Sequence, residues 1–178
     1  MILLNSHEYE LGVTIASARH TTDRSLGLPE TKMNDGQHWT DIEIPGALAE
    51  IAFAKYVNTY PDLDTSMPKP HDGRIILRSG QSYTYDVKST NVESGHLLVK
   101  ESKATDGKMS EIYVLMIGSS HEWRLAGWNY YFNIFVDRHL GNPLFPGCYA
   151  LKQADLFKEL PLPVKVKDAF VQQPWRNE

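Results

Sequence analysis

The sequence has a single cysteine, Cys148, among 178 residues. One cysteine excludes an internal disulfide framework and a zinc site built from several cysteines. A reducing compartment suits such cysteine usage, so the sequence predicts a cytoplasmic protein. Cys148 itself is typical of a small buried apolar residue.

Long hydrophobic runs are also missing. The opening segment MILLNSHEYELG has an apolar start of only four residues, with no basic region before it. A secretory signal requires both features, and no later run approaches the length that crosses a bilayer. We therefore expect neither secretion nor membrane insertion.

Positive charge is scarce: 18 Lys and Arg face 22 Asp and Glu, which gives a formal net charge of -4. This balance counts mildly against a nucleic-acid partner, although a basic stripe on one face can coexist with an acidic metal site. Repeats and low-complexity segments are absent, and the hydrophobic fraction of 42% is enough for one packed core. Residues 1–178 therefore predict a single globular domain.

Two helices are predicted in the first third of the chain. Asn5 followed by Glu8 forms a capping box that predicts a helix over residues 6–20. The Ala-rich segment IPGALAEIAFAKYVN predicts a second helix over 44–58, and the polar segment between the two is predicted to be a long loop.

Strands dominate the rest of the sequence. A turn at Ser79, Gly80 and Gln81 predicts a hairpin between strands at 73–78 and 82–89. Further strands are predicted at 96–100, 111–118 and 122–128, and then a short strand and a short helix that ends before Pro161. This order predicts an α/β (α+β) fold in which helices flank a mixed central β-sheet.

The segment YTYDVKST places two charges on one face of the second hairpin strand. Asp86 and Lys88 share one parity along the strand, and Tyr83, Tyr85 and Val87 share the other. Taken alone, this pattern is typical of an ordinary solvent-exposed strand face. Asp72, however, precedes the first strand of the hairpin, and antiparallel pairing would bring it close to Asp86.

Glu50 adds a third carboxylate. In the predicted helix its neighbours at i±3 and i±4 are apolar or small, and no cation lies at i+3 or i+4. Burial of an unpaired charge costs several kcal/mol unless a metal or a hydrogen-bond donor compensates it. The alternative is that Glu50 lies at the edge of the apolar stripe and reaches water or Lys55.

These residues resemble the PD-(D/E)XK nuclease superfamily, which has the restriction-endonuclease-like fold. In that family a helical glutamate precedes an aspartate, and a hairpin leads to an acidic residue, a spacer and a lysine. Glu50, Asp72, Asp86 and Lys88 occur in that order over residues 44–90. The overall plan is similar to that of small single-domain phage and bacterial members. A rival alignment uses Asp86 as the first acid and takes Glu101 and Lys103 as the second motif.

The resemblance implies a magnesium-dependent nuclease, with Mn²⁺ as a substitute. It implies that Asp72, Asp86 and the Val87 carbonyl hold the cation, with Glu50 as a direct or water-mediated ligand. Lys88 would position or activate the attacking water. DNA is the expected substrate, and a duplex with two strands favours a twofold homodimer. The residues expected to contact substrate are Arg19, Arg74, Ser89, Thr90 and Lys103.

Two other interpretations stay open. One is a catalytically silent member of the same fold that binds nucleic acid or a protein partner. The other is an unrelated α+β domain in which the four motif side chains never meet.

Overall fold

A computed structural model describes residues 1–29, 36 and 38–162. The described chain is mixed α+β, with two long helices, a mixed five-stranded sheet and a separate two-stranded sheet. Among these residues, none of the helices combines the length and the apolar character that a bilayer crossing requires.

Helix α1 spans Ser6–Ser25 and begins with the predicted capping box. The Glu8 N–H donates to Asn5 Oδ1 at 2.9 Å, and the Asn5 N–H donates to Glu8 Oε2 at 2.7 Å. The helix extends beyond the predicted end at residue 20 because no helix-breaking residue occurs before Gly27, which adopts a positive φ of 69°.

Helix α2 spans Thr40–Val57 and ends at Asn58, which has a left-handed conformation. The helix starts four residues before the predicted start at residue 44. The prediction places Pro45 near the first position of the helix, but Pro45 lies inside it, close to the N-terminal end. The polar segment predicted as a loop is therefore helical at both ends. Residues 30–35 and 37 lie outside the described residues.

The strands follow in chain order. They are β1 (Ile2–Leu3), β2 (Gly73–Ile76), β3 (Ser82–Thr90), β4 (Leu97–Lys100), β5 (Ile112–Ser119), β6 (Glu122–Tyr130) and β7 (Cys148–Leu151). Two short helices, α3 (Ser102–Thr105) and α4 (Tyr131–Ile134), follow β4 and β6. The short helix predicted before Pro161 is a single 3-10 turn at Gln153–Asp155.

The central sheet has the order β1-β6-β5-β3-β2. The predicted hairpin is present, since β2 and β3 pair antiparallel. β3 and β5 pair parallel, whereas β6 pairs antiparallel with both β5 and β1. β4 leaves this sheet and pairs with β7 instead.

Alternate side chains of β5 divide the core into two halves. Ile112, Val114 and Met116 join the cluster that contains the buried residues of α1 and α2. Tyr113, Leu115 and Ile117 join the cluster that contains residues of β4 and β7. The two long helices therefore cover one face of the sheet, and the small sheet covers the other together with Ile134 of the short helix α4. The mixed sheet with helices packed against it fits the predicted α/β class.

Candidate functional site

Asp72 lies where the pairing between β2 and β3 stops. Its N–H donates to the Tyr85 carbonyl at 2.9 Å, which continues the ladder by one position beyond Gly73. Its Oδ2 then accepts the N–H of Val87 at 2.6 Å. The N–H and C=O of one strand residue point to the same edge. The Val87 carbonyl therefore points to the side of β3 on which Asp72 lies.

Asp86 lies between Tyr85 and Val87 on β3 and is buried, with only 2% of its surface exposed. The Lys88 ammonium contacts Oδ1, as the shared strand face predicts, and Lys103 Nζ lies 3.1 Å from Oδ2. The interpretation of this segment as a solvent-exposed strand face is wrong, because Lys103 reaches Asp86 from α3 and adds to its cover.

Lys103 also joins two parts of the chain at this point. Besides Asp86, its ammonium donates to the Pro70 carbonyl at 3.1 Å, and Pro70 lies just before Asp72. The rival alignment predicts a catalytic pair of Glu101 and Lys103. Glu101 is exposed at the start of α3, and only Lys103 points into the site.

Glu50 lies on α2 among fully buried alanines and is largely buried itself, with 16% of its side chain exposed. Its partner is Arg19 of α1, whose Nη1 lies 2.8 Å from Glu50 Oε2 and whose Nη2 donates to the Asp62 carbonyl at 3.2 Å. The alternative partner Lys55 is wrong, because Lys55 pairs with Glu8 at 2.7 Å.

The three carboxylates are close enough to influence one another. Burial, and then the charges of Glu50 and Asp86, raise the pKa of Asp72 well above its ordinary value. Burial also raises the pKa of Glu50, with a further contribution from Asp86, although the Arg19 guanidinium opposes this rise. The three carboxylates therefore disfavour one another's charged forms.

Lys88 responds in the opposite direction to its surroundings. Burial disfavours its charged form, but the carboxylates of Asp86 and Asp72 outweigh burial and raise the pKa of the ammonium. Glu50, Asp72, Asp86 and Lys88 thus lie within electrostatic range of one another.

The donor chemistry of this site suits a hard divalent cation, since carboxylate and carbonyl oxygens are the ligands that Mg²⁺ takes in proteins. The arrangement of these oxygens, however, does not form a complete metal-binding group. Across residues 1–29, 36 and 38–162, no group of three or more His, Cys, Asp or Glu side chains is arranged to hold a metal ion. Both oxygens of Asp86 contact lysine ammonium groups instead.

The remaining residues expected to contact substrate lie nearby on the hairpin. Arg74 is exposed on the edge strand β2, in register with Thr84. Ser89 and Thr90 are half-buried at the end of β3, and the Thr90 hydroxyl accepts the N–H of Val92 at 3.1 Å. This bond makes Thr90 part of a turn, which is an ordinary structural role for a threonine at a strand end.

A cavity of about 190 Å³ adjoins Asp72. Its charged lining includes Arg19, Asp23, Asp62, Asp64, Lys69 and Asp72. Acidic groups outnumber basic ones there, and Lys69 already pairs with Asp62 at 2.7 Å. The cavity therefore has the wrong charge balance for a phosphate. Beyond Tyr85, no strand of the described chain pairs with the edge of β3 that faces β2, which we call the open edge of β3.

Two features of the site were missed by sequence reasoning. Arg19, which the sequence predicts to contact substrate, pairs with Glu50, a residue 31 positions away. Lys103, which has the same predicted role, contacts Asp86. Helical and strand periodicity relate near neighbours only, so no local pattern in the sequence reports either contact.

Comparisons with known proteins add no assignment. No family model matches the chain, and neither the curated proteins nor the solved structures give a match.

Proposed function

We propose that this chain is a magnesium-dependent nuclease of the PD-(D/E)XK type, with a restriction-endonuclease-like core, that hydrolyses phosphodiester bonds in DNA. The observation that carries the proposal is that Glu50, Asp72, Asp86 and Lys88 lie within electrostatic range of one another, with Asp86 and Lys88 in contact. These side chains come from a helix, the entry of a hairpin and the second hairpin strand, in the order that the resemblance requires.

Asp72, Asp86 and the Val87 carbonyl would hold the cation, and Glu50 would hold one of its waters or bind it directly. Asp72 is fixed for this role by the Val87 N–H, and Glu50 is fixed by Arg19. When bound, the cation supplies an activated water and neutralises charge on the scissile phosphate. The mutual repulsion of the carboxylates would favour binding of this positive charge.

Lys88 acts on the substrate side of the same site. Its raised pKa keeps it an ammonium at neutral pH, so it donates hydrogen bonds and positive charge. A compact ammonium of this kind orients a water and stabilises charge on a phosphate as the transition state forms. Arg74 is exposed on the edge strand β2 and would contact the nucleic-acid backbone. A twofold homodimer would present two such sites to a duplex.

A catalytically silent protein of the same fold, which binds nucleic acid or a protein partner, is the second candidate. The observation that favours it is the engagement of both Asp86 oxygens by Lys88 and Lys103, together with the missing three-donor group in the described chain. The two candidates differ in whether a divalent cation gains access to Asp86.

The test is cleavage of supercoiled plasmid, single-stranded DNA and RNA with Mg²⁺, Mn²⁺ or EDTA. We expect metal-dependent cleavage of DNA that Asp86→Asn lowers by about 100-fold or more, because it removes a carboxylate that would hold the cation. Asp106→Asn is the matched control, since Asp106 is exposed on the loop after α3.

Thermal melts of both variants show whether the fold persists. DNA binding without cleavage by the wild type would favour the silent candidate. Equal cleavage by Asp86→Asn and the wild type would show that Asp86 takes no part in the cleavage reaction.

A further inference from the structure

Two lysines contact Asp86, but only one of these contacts follows from local geometry. Lys88 lies two positions further along β3 and shares its face, so its contact with Oδ1 needs nothing from the rest of the fold. Lys103 comes from α3, on the segment between β4 and β5, and reaches Oδ2 at 3.1 Å.

The position of Lys103 is also well defined by a second bond. Its ammonium donates to the Pro70 carbonyl at 3.1 Å, and its side chain is only 26% exposed. One ammonium therefore joins the segment that leads into Asp72 to the carboxylate of Asp86. An ammonium in this place supplies the positive charge that a divalent cation would otherwise supply.

We propose that Lys103 competes with a divalent cation for Asp86 and is released from Asp86 when the cation binds. This inference rests on the proposed function. Oδ2 is buried, and two cations cannot share one buried oxygen without strong repulsion. Because the same ammonium donates to the Pro70 carbonyl, its movement would change the approaches to Asp72 and Asp86 together. The freed ammonium is then available to pair with a phosphate of the substrate.

The first measurement uses the wild-type protein without nucleic acid. Lysines are acetylated under limiting reagent, with EDTA or with Mn²⁺, and the rate at each lysine is read by mass spectrometry. We expect Mn²⁺ to raise the rate at Lys103 at least about fivefold, since an ammonium held by a buried carboxylate is protected. Lys108 is exposed nearby and serves as the internal control, with an unchanged rate.

The second measurement is calorimetric titration of Mn²⁺ into wild type, Lys103→Met and Lys108→Met. We expect Lys103→Met to bind Mn²⁺ about tenfold more tightly than wild type, because the competing cation is gone. Lys108→Met is expected to stay within about twofold of wild type. Binding by Lys103→Met alone would also support the competition.

The possible failures are distinguishable. If Mn²⁺ binds the wild type but neither the acetylation rate at Lys103 nor the affinity of Lys103→Met changes, the competition is refuted and the proposed function stands. If neither protein binds Mn²⁺, the proposed function fails and the competition fails with it.

Discussion

At the scale of single residues, the surroundings of Asp72 disfavour its charged form. It is partly buried beside Glu50 and Asp86, and its pKa is raised well above its ordinary value. The folded protein therefore binds a proton at Asp72 more tightly than the unfolded chain does. As the pH rises from the ordinary pKa through the folded pKa, that proton is lost and the free energy of unfolding falls.

Asp72→Asn is expected to remove this unfavourable charge and to raise the free energy of unfolding by about 1 kcal/mol at pH 7. The amide oxygen still accepts the Val87 N–H, so the hydrogen bond at the strand edge is kept. Urea denaturation at pH 4 and pH 7 measures the effect, which should be small at pH 4 and larger at pH 7. A variant that is less stable than wild type at pH 7 would show that the charge of Asp72 is satisfied in the fold.

Part of the site follows from the sequence at this scale. The alternation of a strand places Asp86 beside Lys88, and their side chains do contact. The identity of Glu50's partner does not follow, because Arg19 lies 31 positions away on another helix. Whether Asp86 is exposed also depends on tertiary structure, since the cover provided by Lys103 comes from a segment with no local relation to β3.

At the scale of elements, β6 contains a bulge that shapes its contact with the end of the described chain. Leu115 of β5 faces Gly127, whereas Met116 faces Leu125, so β6 has one extra residue at this point. Gly127 has a φ of 152°, and a Cβ added to it would lie 2.5 Å from Leu156 Cβ. The absence of a side chain thus allows the segment at Leu156 to pack on β6.

Gly127→Ala is expected to lower the free energy of unfolding by about 2 to 3 kcal/mol, because both the backbone conformation and the packing oppose a side chain. Gly107→Ala is the matched control. Gly107 also has a positive φ, 66°, but nothing lies within 4 Å of an added Cβ, so about 1 kcal/mol is expected. Chemical denaturation measures both, and equal losses would show that the contact with Leu156 adds nothing.

Elements that depend on local signals were predicted well, and those that depend on distant partners were not. The hairpin of β2 and β3 is confirmed, since its turn residues and alternating strands are contiguous in the sequence. The strand near residues 96–100 was predicted, but its pairing with β7 was not. A short apolar run in the sequence indicates that a strand forms, but it does not indicate which sheet that strand joins.

At the scale of the whole molecule, electrostatics limits how the protein approaches a nucleic acid. The net charge is -4, and the cations nearest the site already have carboxylate partners: Arg19 pairs with Glu50, and Lys88 and Lys103 with Asp86. Among the described residues, few free positive charges therefore face the open edge of β3, and we expect weak non-specific attraction to a phosphate backbone.

We expect the affinity for duplex DNA in EDTA to fall only gently with salt, with a slope of log K against log salt of about -2 to -3. Fluorescence anisotropy with a labelled duplex measures this slope. Arg74→Met should make it shallower by about 1, because one backbone contact is lost. A slope steeper than about -6 would reveal a broad cationic surface and contradict the expectation.

The strand order of the central sheet has a consequence for contacts between copies of the protein. The edge strands are β1, Ile2–Leu3, and β2, Gly73–Ile76, and the nine-residue strands β3 and β6 lie between them, although β2 pairs with β3 only over residues 82–85. A neighbouring molecule that added a strand at either edge would gain only a few backbone hydrogen bonds. The fold therefore offers a poor template for edge-to-edge polymerisation, and concentrated samples are expected to resist fibril growth.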